Sequence, residues 1–395
     1  PYVDTEITIS RRLAFRYVKI ELLGTPAPFD FVFADLYCKA TTSTKPFDVQ
    51  LAAETPAIIR DINRVGLETL KECMQTVYED GPKRDQRLWI GDLYLESLAN
   101  NYSFRQHDLT KRCLYLLASL AKDDGRLHAT VFERPYPHAQ VMSFCMDYSL
   151  LYNVALLEYF KATGDKATAE DLWPVADHQI KNALTYLDDD LLFDANKKGK
   201  DLWLFFDWRV ELNKSVAMQG VTILALDKSA ELAQALGHAK KAEELAEISA
   251  KMKAAARANY YDVKKQCFVT KPDGQVSYLS QAWMILAGVV SKDEGAKAMQ
   301  AAFADAHAVY PGAPYAYHYV IEALIQCGMD EEARTRLTQY WGAMIHRGAD
   351  TFWEVYDPND ELASPYNFYP INSYCHAWSC TPVYFINKYP EIFQR

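Results

Sequence analysis

From about residue 56 onward the apolar side chains recur with the 3.6-residue period of a helix, and the pattern does not revert. This feature constrains the fold most, because nearly all of the chain must then pack helix against helix. Helical stretches are expected near residues 57–78, 92–102, 107–122, 144–163, 167–187, 214–236, 238–260, 277–289, 292–304, 314–327, 329–346 and 374–388. Glycine stands just past several ends, at Gly164, Gly237 and Gly328, where a left-handed residue closes a helix without a Cβ clash. Ser291 and Glu294 have the spacing of a capping box, and Thr55 with Pro56 reads as a second helix start.

Twelve helices joined in pairs by short turns suit a closed two-layer ring, a mainly α (α/α)6 toroid. No repeat of fixed 30–50-residue period is present, which disfavours an open solenoid. The longer connectors, 79–91, 123–143, 188–213 and 346–373, recur at about every second helix. They are therefore expected on one rim, where loops carry function.

Residues 16–40 read differently. Tyr17 to Leu22 and Phe31 to Tyr37 alternate at period two, with a turn at 24–28 between them. Two strands alone are marginal in water, so they are expected to complete a sheet supplied by other residues or to pack on the helical body. The expected division is 1–50, the end of a β-sandwich with its linker, and 51–395, the helical ring. The chain opens at Pro1 with no basic and apolar leader, and is read as part of a longer polypeptide.

Composition narrows the function. Hydrophobic residues make 50% and charged residues 24% of the chain, a globular profile. The net charge of −10, with no basic run longer than Lys197 and Lys198, argues against nucleic acid as a partner. No apolar stretch is long enough to span a membrane. The eight cysteines include no CxxC pair and sit mostly in apolar helical runs, so they read as buried thiols rather than a disulfide frame or zinc site. Cys375 and Cys380, placed on one helix, would point apart.

The long connectors concentrate carboxylates beside tryptophan. The first holds Glu79, Asp80, Asp85 and Asp92 with Lys83, Arg84, Arg87 and Trp89. Gly81 and Pro82 set a tight turn there, and burial of Trp89 and Ile90 would draw the charges into a partly dry site. The third holds Asp201, Trp203, Phe205, Phe206, Asp207, Trp208 and Arg209. The fourth holds Asp350, Trp353, Glu354, Asp357, Tyr366, Asn372, His376 and Trp378.

Any one of these could be a solvated charged loop. His107, His128, His178 and His318 read as packed or surface residues, whereas His376 adjoins the aromatic acid loop. Acids flanked by rings on several loops of one rim suit glycosidic bond cleavage: one carboxyl protonates the leaving oxygen, a second activates water or attacks, and rings floor the sugar. GxSxG, Walker, GxGxxG and HExxH signatures are absent.

With these residues in view, the chain resembles the catalytic region of glycoside hydrolase family 78, the α-L-rhamnosidases, from about residue 16 to its end. Four segments carry the resemblance: Glu79 to Asp92, Phe206 to Trp208, Gly348 to Glu354, and Asn372 to Ser379. The resemblance implies an (α/α)6 barrel with β-domains flanking it in the same polypeptide. It implies an exo-acting, inverting hydrolase of terminal L-rhamnose in glycans or glycosides, with no metal or organic cofactor. Carried over by position, Asp80 and Asp92 hold sugar hydroxyls, Trp89 lines the sugar site, Glu354 is the general base, and Trp208 and His376 complete the rhamnose pocket. Arg84, Asp207 and Trp353 join the candidate binding set from the same loops.

One position departs from the family. The familiar motif reads Asp-Cys-Pro-x-Arg-Asp-Glu-Arg with the Glu as proton donor, and here that place is Gln86. The neighbouring Asp85 is the expected substitute acid, its carboxyl about 6.5–9.5 Å from that of Glu354. It must carry a proton near neutral pH, which burial against Trp89 or the nearby Asp80 and Asp92 would favour; inward-pointing Arg84 and Arg87 would oppose it. Three other readings stay open: a different toroid glycosidase such as an unsaturated uronyl hydrolase, served by Arg84, Arg87 and Arg209; a rhamnose-binding pseudoenzyme; and a helical scaffold, which leaves the Trp–acid loops unexplained. Bacterial periplasm and cytoplasm are equally open as compartments.

Overall fold

Six helical hairpins, each an outer helix followed by an inner one, close into a ring. The computed structural model describes every residue except 1–5, 26–31, 46–48, 141–142 and 200–201. In chain order the first three pairs are α1 (Ala57–Cys73) with α2 (Ile90–Asn101), α3 (His107–Ser119) with α4 (Met146–Thr163), and α5 (Lys166–Leu184) with α6 (Ser215–Leu236). The next are α7 (Ala239–Tyr260) with α8 (Tyr278–Leu286), α9 (Lys292–Ala304) with α10 (Pro314–Gln326), and α11 (Asp330–His346) with α12 (Pro382–Lys388). Helix α2 packs on α4, α4 on α6, α6 on α8 and α8 on α10, while α12 returns to α2 and α1 meets α11. The 3-10 turn at Ala377–Cys380, packed on both α10 and α2, completes the inner circuit.

The two layers differ as their sequences demand. Outer helix α7 buries Ala242, Leu245, Ser249, Met252, Ala256 and Tyr260, the i, i+3, i+4 stripe of a helix with one covered face. Inner helix α2 buries every residue from Ile90 to Asn100, as a helix surrounded by others must. Helix ends follow the expected punctuation. Gly164 and Gly237 are left-handed at φ 69° and 89°, and Ser291 and Glu294 form a capping box.

Three expectations are corrected. Helix α1 stops at Cys73 rather than 78, because Met74 and Tyr78 bridge each other across a turn. The helix expected over 374–388 begins only at Pro382, after a 3-10 turn at Ala377–Cys380. Its upstream backbone is committed elsewhere, with the His376 N–H donating to Phe352 O (2.9 Å) and the Ala377 N–H to Asp80 O (2.7 Å). Cys375 thus lies on a loop, not on a helix with Cys380; all eight cysteines are free thiols.

The third correction concerns the period-two segment. Residues 6–25 and 32–40 form no strand; their side chains stand out, Tyr17 86% and Leu23 92% exposed. A strand needs a partner edge, and none of the described residues offers one. Most of the turn expected at 24–28, and Phe31, lie outside the described residues.

The strands that do form were not anticipated. β1 (Leu88–Trp89) pairs antiparallel with β2 (Thr130–Phe132), and β2 with β3 (His138–Ala139). A second small hairpin joins Tyr261–Asp262 to Cys267–Phe268. β1 runs straight into α2, so this ribbon fixes the loop that precedes an inner helix. Every connector entering an inner helix lies at the same end of the ring, which gathers all four long connectors on one rim. No helix among the described residues is long and apolar enough to cross a membrane.

Candidate active site

The first connector is organised around Asp80. This side chain is 3% exposed and accepts from the backbone N–H groups of Asp85 (3.0 and 3.2 Å) and Arg87 (3.3 Å). A buried carboxylate thus ties its own loop into a tight turn. Burial, reinforced by Asp85 and Asp92, pushes its pKa up to about 7 against the pull of His376.

Within that turn Gln86 is left-handed, φ 62°, and its amide donates to Pro82 O. The residue matching the family's acid position therefore turns back on its own loop. Its neighbour Asp85 faces the rim, its side chain 20% exposed. Arg84 Nη1 donates to Asp85 Oδ1 (3.1 Å), and Arg87 grips Asp85 Oδ2 through Nε (3.0 Å) and Nη2. Both arginines point inward.

The fourth connector supplies Glu354, whose side chain is only 2% exposed. It accepts from Arg84 Nη2 (2.8 Å), the Ser373 backbone N–H (3.1 Å) and the Tyr366 hydroxyl. Its own backbone is pinned on both sides: the N–H donates to Ser373 O (2.9 Å), and Trp378 Nε1 donates to Glu354 O (3.0 Å). One guanidinium, that of Arg84, consequently spans Asp85 and Glu354. The two carboxyl groups flank it.

Below this pair lies a second acid–base couple. Asp92 enters in the first turn of α2, where helix N–H groups favour negative charge, and its Oδ1 is 3.3 Å from His376 Nε2. The two groups form a buried ion-pair contact, and neither His376 nitrogen nor Asp92 Oδ1 has any other polar partner. Burial opposes charge on His376, yet Asp92, Glu354 and Asp80 outweigh it and raise its pKa. Burial raises Asp92 as well, with His376 opposing. One turn further along α2, Glu96 is wholly buried with neither carboxyl oxygen partnered. Burial drives its pKa far above the carboxylate range.

Rings pack in a connected cluster around these acids. Trp89 meets Tyr148 and Trp203 edge-on (6.3 and 6.1 Å between centroids). Phe205 stacks on Trp378 (5.6 Å), Trp378 lies 4.2 Å from His376, and Trp208 meets Tyr366 at 5.5 Å. The indole N–H groups of Trp89 and Trp208 are both buried and unpartnered.

The structure thus brings Asp80, Arg84, Asp85, Trp89, Asp92, Trp208, Glu354 and His376 together. Two other candidates it turns aside. Asp207 Oδ2 accepts from the Gly312 N–H (2.7 Å) while its Oδ1 is buried without a hydrogen bond, and burial pushes its pKa up to about 7. The Trp353 ring packs edge-on against Tyr356 and Tyr374. Asp201 lies outside the described residues.

Several residues of the site carried no role in the sequence. Tyr366, Trp203, Phe205 and Trp378 are visible there as part of the aromatic density of their loops. Tyr148 and Tyr315, in the first turns of inner helices, give no such signal. No group of three or more potential metal ligands occurs among the described residues.

Comparison with known proteins bears on the fold and the family. The bacterial α-L-rhamnosidase six-hairpin glycosidase domain matches residues 56–389, and the N-terminal domain of family 78 α-rhamnosidases matches residues 1–40. The chain belongs to glycoside hydrolase family 78. A rhamnosidase from Klebsiella oxytoca, solved with rhamnose bound, is 41% identical over 86% of this chain, with a TM-score of 0.83. The chain spans 66% of that protein's length. A family 78 rhamnosidase of Bacillus sp. GL1 is 24% identical, TM-score 0.74, over 87% of this chain and 36% of its own. The same ring recurs outside the family in a mannosylglycerate hydrolase from Thermus thermophilus, 12% identical with a TM-score of 0.60, over 82% of this chain and 99% of its own. No curated protein matches the chain. Family membership accounts for the closed six-hairpin ring and for loops of one rim meeting over the inner helices.

Proposed function

We propose that this ring is the catalytic domain of an exo-acting, inverting α-L-rhamnosidase that removes terminal L-rhamnose from a glycan or glycoside. The observation that carries the reading is the pair Asp85 and Glu354 flanking one guanidinium, over a floor of rings and unpartnered buried polar atoms. Buried donors and acceptors without partners are costly, and a polyol supplies both kinds at close spacing. The rings suit the apolar face of a 6-deoxy sugar. The similarity to a rhamnosidase solved with rhamnose bound supports the same substrate.

In this mechanism Asp85, the more open of the two, donates its proton to the glycosidic oxygen as the bond to the anomeric carbon breaks. Glu354 takes a proton from a water that attacks the same carbon from the opposite face, so the configuration inverts. An acid gripped by two guanidiniums can act only once a grip is loosened; an entering sugar that draws Arg84 toward its hydroxyls would loosen one. Asp92 and His376, charged together, would hold hydroxyls lower in the basin, with Asp80 bracing the loop. Residues 1–50 are proposed to belong to a neighbouring β-domain, whose surface would cover the exposed apolar side chains of that segment.

The uronate alternative is less well supported, since Arg84 and Arg87 pair with acids of the site and Arg209 with Asp357 (2.7 Å). The test is release of p-nitrophenol from the α-L-rhamnoside, with NMR of the first-formed anomer. Turnover giving the inverted β-rhamnose is expected. Retained configuration refutes the mechanism, and saturable rhamnose binding without turnover makes the protein a pseudoenzyme.

A further inference from the structure

Three rim loops converge on one side chain that the foregoing mechanism does not use. Tyr366 lies on the fourth connector, and its hydroxyl donates to Glu354 Oε1 while accepting from Arg84 Nη2 (2.9 Å). The Arg84 guanidinium also lies over its ring, 4.6 Å from the centroid. Trp208, from the third connector, closes the other side at 5.5 Å.

The loop that presents Tyr366 is itself braced. Ser364 Oγ donates to Asn372 Oδ1 (2.8 Å), Asn372 Nδ2 donates to Ala363 O (2.7 Å), and Lys83 of the first connector donates to Pro370 O (3.1 Å) and Asn372 O (3.2 Å). A tyrosine held this way is not a passing surface ring. Its hydroxyl has one proton to give, and Glu354 receives it.

From this geometry we infer that Tyr366 is a positioning residue for the reaction, orienting Glu354 through its hydroxyl and tying that carboxylate to Arg84. The inference rests on Glu354 being the general base. Glu354 Oε1 is held by Tyr366; Oε2 is shared by Arg84 and the Ser373 N–H. One oxygen thus depends on Tyr366, the other on two separate donors. Removing the phenolic hydroxyl frees Oε1 to rotate away from the attacking water, and it also removes a donor to the charged form.

The other groups that face Glu354 are Arg84 and, from α2 and the loop before α12, Asp92 and His376; Asp85 stands beyond Arg84. Tyr366→Phe leaves all of these in place. Burial and the Glu354 charge raise the pKa of Tyr366 itself, so it remains a donor through the working range.

The experiment compares kcat and KM separately for wild type, Tyr366→Phe and Glu354→Gln on p-nitrophenyl α-L-rhamnoside, with each variant's fold checked by circular dichroism and melting. Tyr366→Phe is expected to lower kcat roughly tenfold to a hundredfold with KM little changed. A folded Tyr366→Phe with wild-type kcat, or with the loss in KM alone, overturns the inference, and so does one that fails to fold, because the hydroxyl would then be a determinant of the fold. Glu354→Gln separates the two failures. If it retains activity, the base assignment is wrong; if it is inactive while Tyr366→Phe is normal, only the role of Tyr366 is wrong.

Discussion

The two ends of the inner-helix ring are built from the same helices and treat polar groups in different ways. At the end where α2, α4 and their counterparts begin, Trp89 Nε1, Asp92 Oδ1, Trp208 Nε1 and both His376 nitrogens are buried without hydrogen bonds. At the end where they finish, a cavity of about 630 Å³ opens among Tyr94, Glu158, Lys161, Glu322 and Lys388. There the charges are matched internally. Lys161 pairs with Glu231 (2.8 Å) and Glu158 (3.4 Å), and Glu322 receives the Tyr384 hydroxyl (3.1 Å). The charged groups of the far opening are thus paired with one another, although Asn101 Oδ1 and His107 Nδ1 beside it are also buried without a hydrogen bond.

This contrast can be broken or sharpened by substitution. The largest effect is expected at Glu354, where Glu354→Gln should lower kcat on the rhamnoside by roughly 10³-fold or more. Activity near wild type would remove the base from the rim. Next comes Asp85→Asn, expected to cost about 10²–10⁴-fold on a glycoside with a poor leaving group and much less on p-nitrophenol, which leaves without a proton. Equal losses on both substrates would mean that Asp85 holds the loop rather than donating. Trp208→Phe keeps the ring and removes one unpartnered N–H; a loss in kcat/KM of about tenfold is expected, read by steady-state kinetics.

Two smaller effects concern stability. Asp207 is buried with its pKa pushed up to about 7, so folding takes up a proton once pH exceeds the ordinary carboxylate pKa near 4. Its contribution is therefore most favourable below about pH 4 and is eroded as pH rises towards 7. Asp207→Asn should raise the melting temperature at pH 8 by roughly 2 °C while changing it little at pH 4. A rise at acid pH instead would reverse the sign of the linkage. Lys161→Ala, at the opposite end, should shift stability by less than about 1 kcal/mol and leave kcat/KM unchanged; a change in kinetics would show that the far cavity communicates with the rim.

Some of this architecture is written locally in the chain. The stripe of α7, the caps at Gly164, Gly237 and Ser291, and the alternation of long and short connectors follow from periodicity and backbone chemistry that act within a few residues. The same local density of acids and indoles marked the connectors holding Asp80, Asp85 and Glu354 as sites of chemistry. Local rules failed where a segment's hydrogen bonds go to distant partners. Residues 374–381 look helical, yet the His376 and Ala377 N–H groups are taken by Phe352 and Asp80. The period-two segment before residue 40 looks like strand, yet a strand exists only with a neighbour, and among the described residues it has none.

Side-chain direction was likewise beyond the sequence. Periodicity cannot say that Gln86 folds back onto Pro82, that Trp353 packs against Tyr356 and Tyr374, or that Asp207 turns to Gly312. Each depends on how one loop meets another. The sequence by itself determined that this chain would be a ring of paired helices with acids and rings gathered in alternate connectors, because helix formation, capping and amphipathicity are local. Only the tertiary structure decided that Arg84 would stand between Asp85 and Glu354 and that Tyr366 would reach the same carboxylate. Those contacts join residues up to 282 positions apart, and they exist only once the ring has closed.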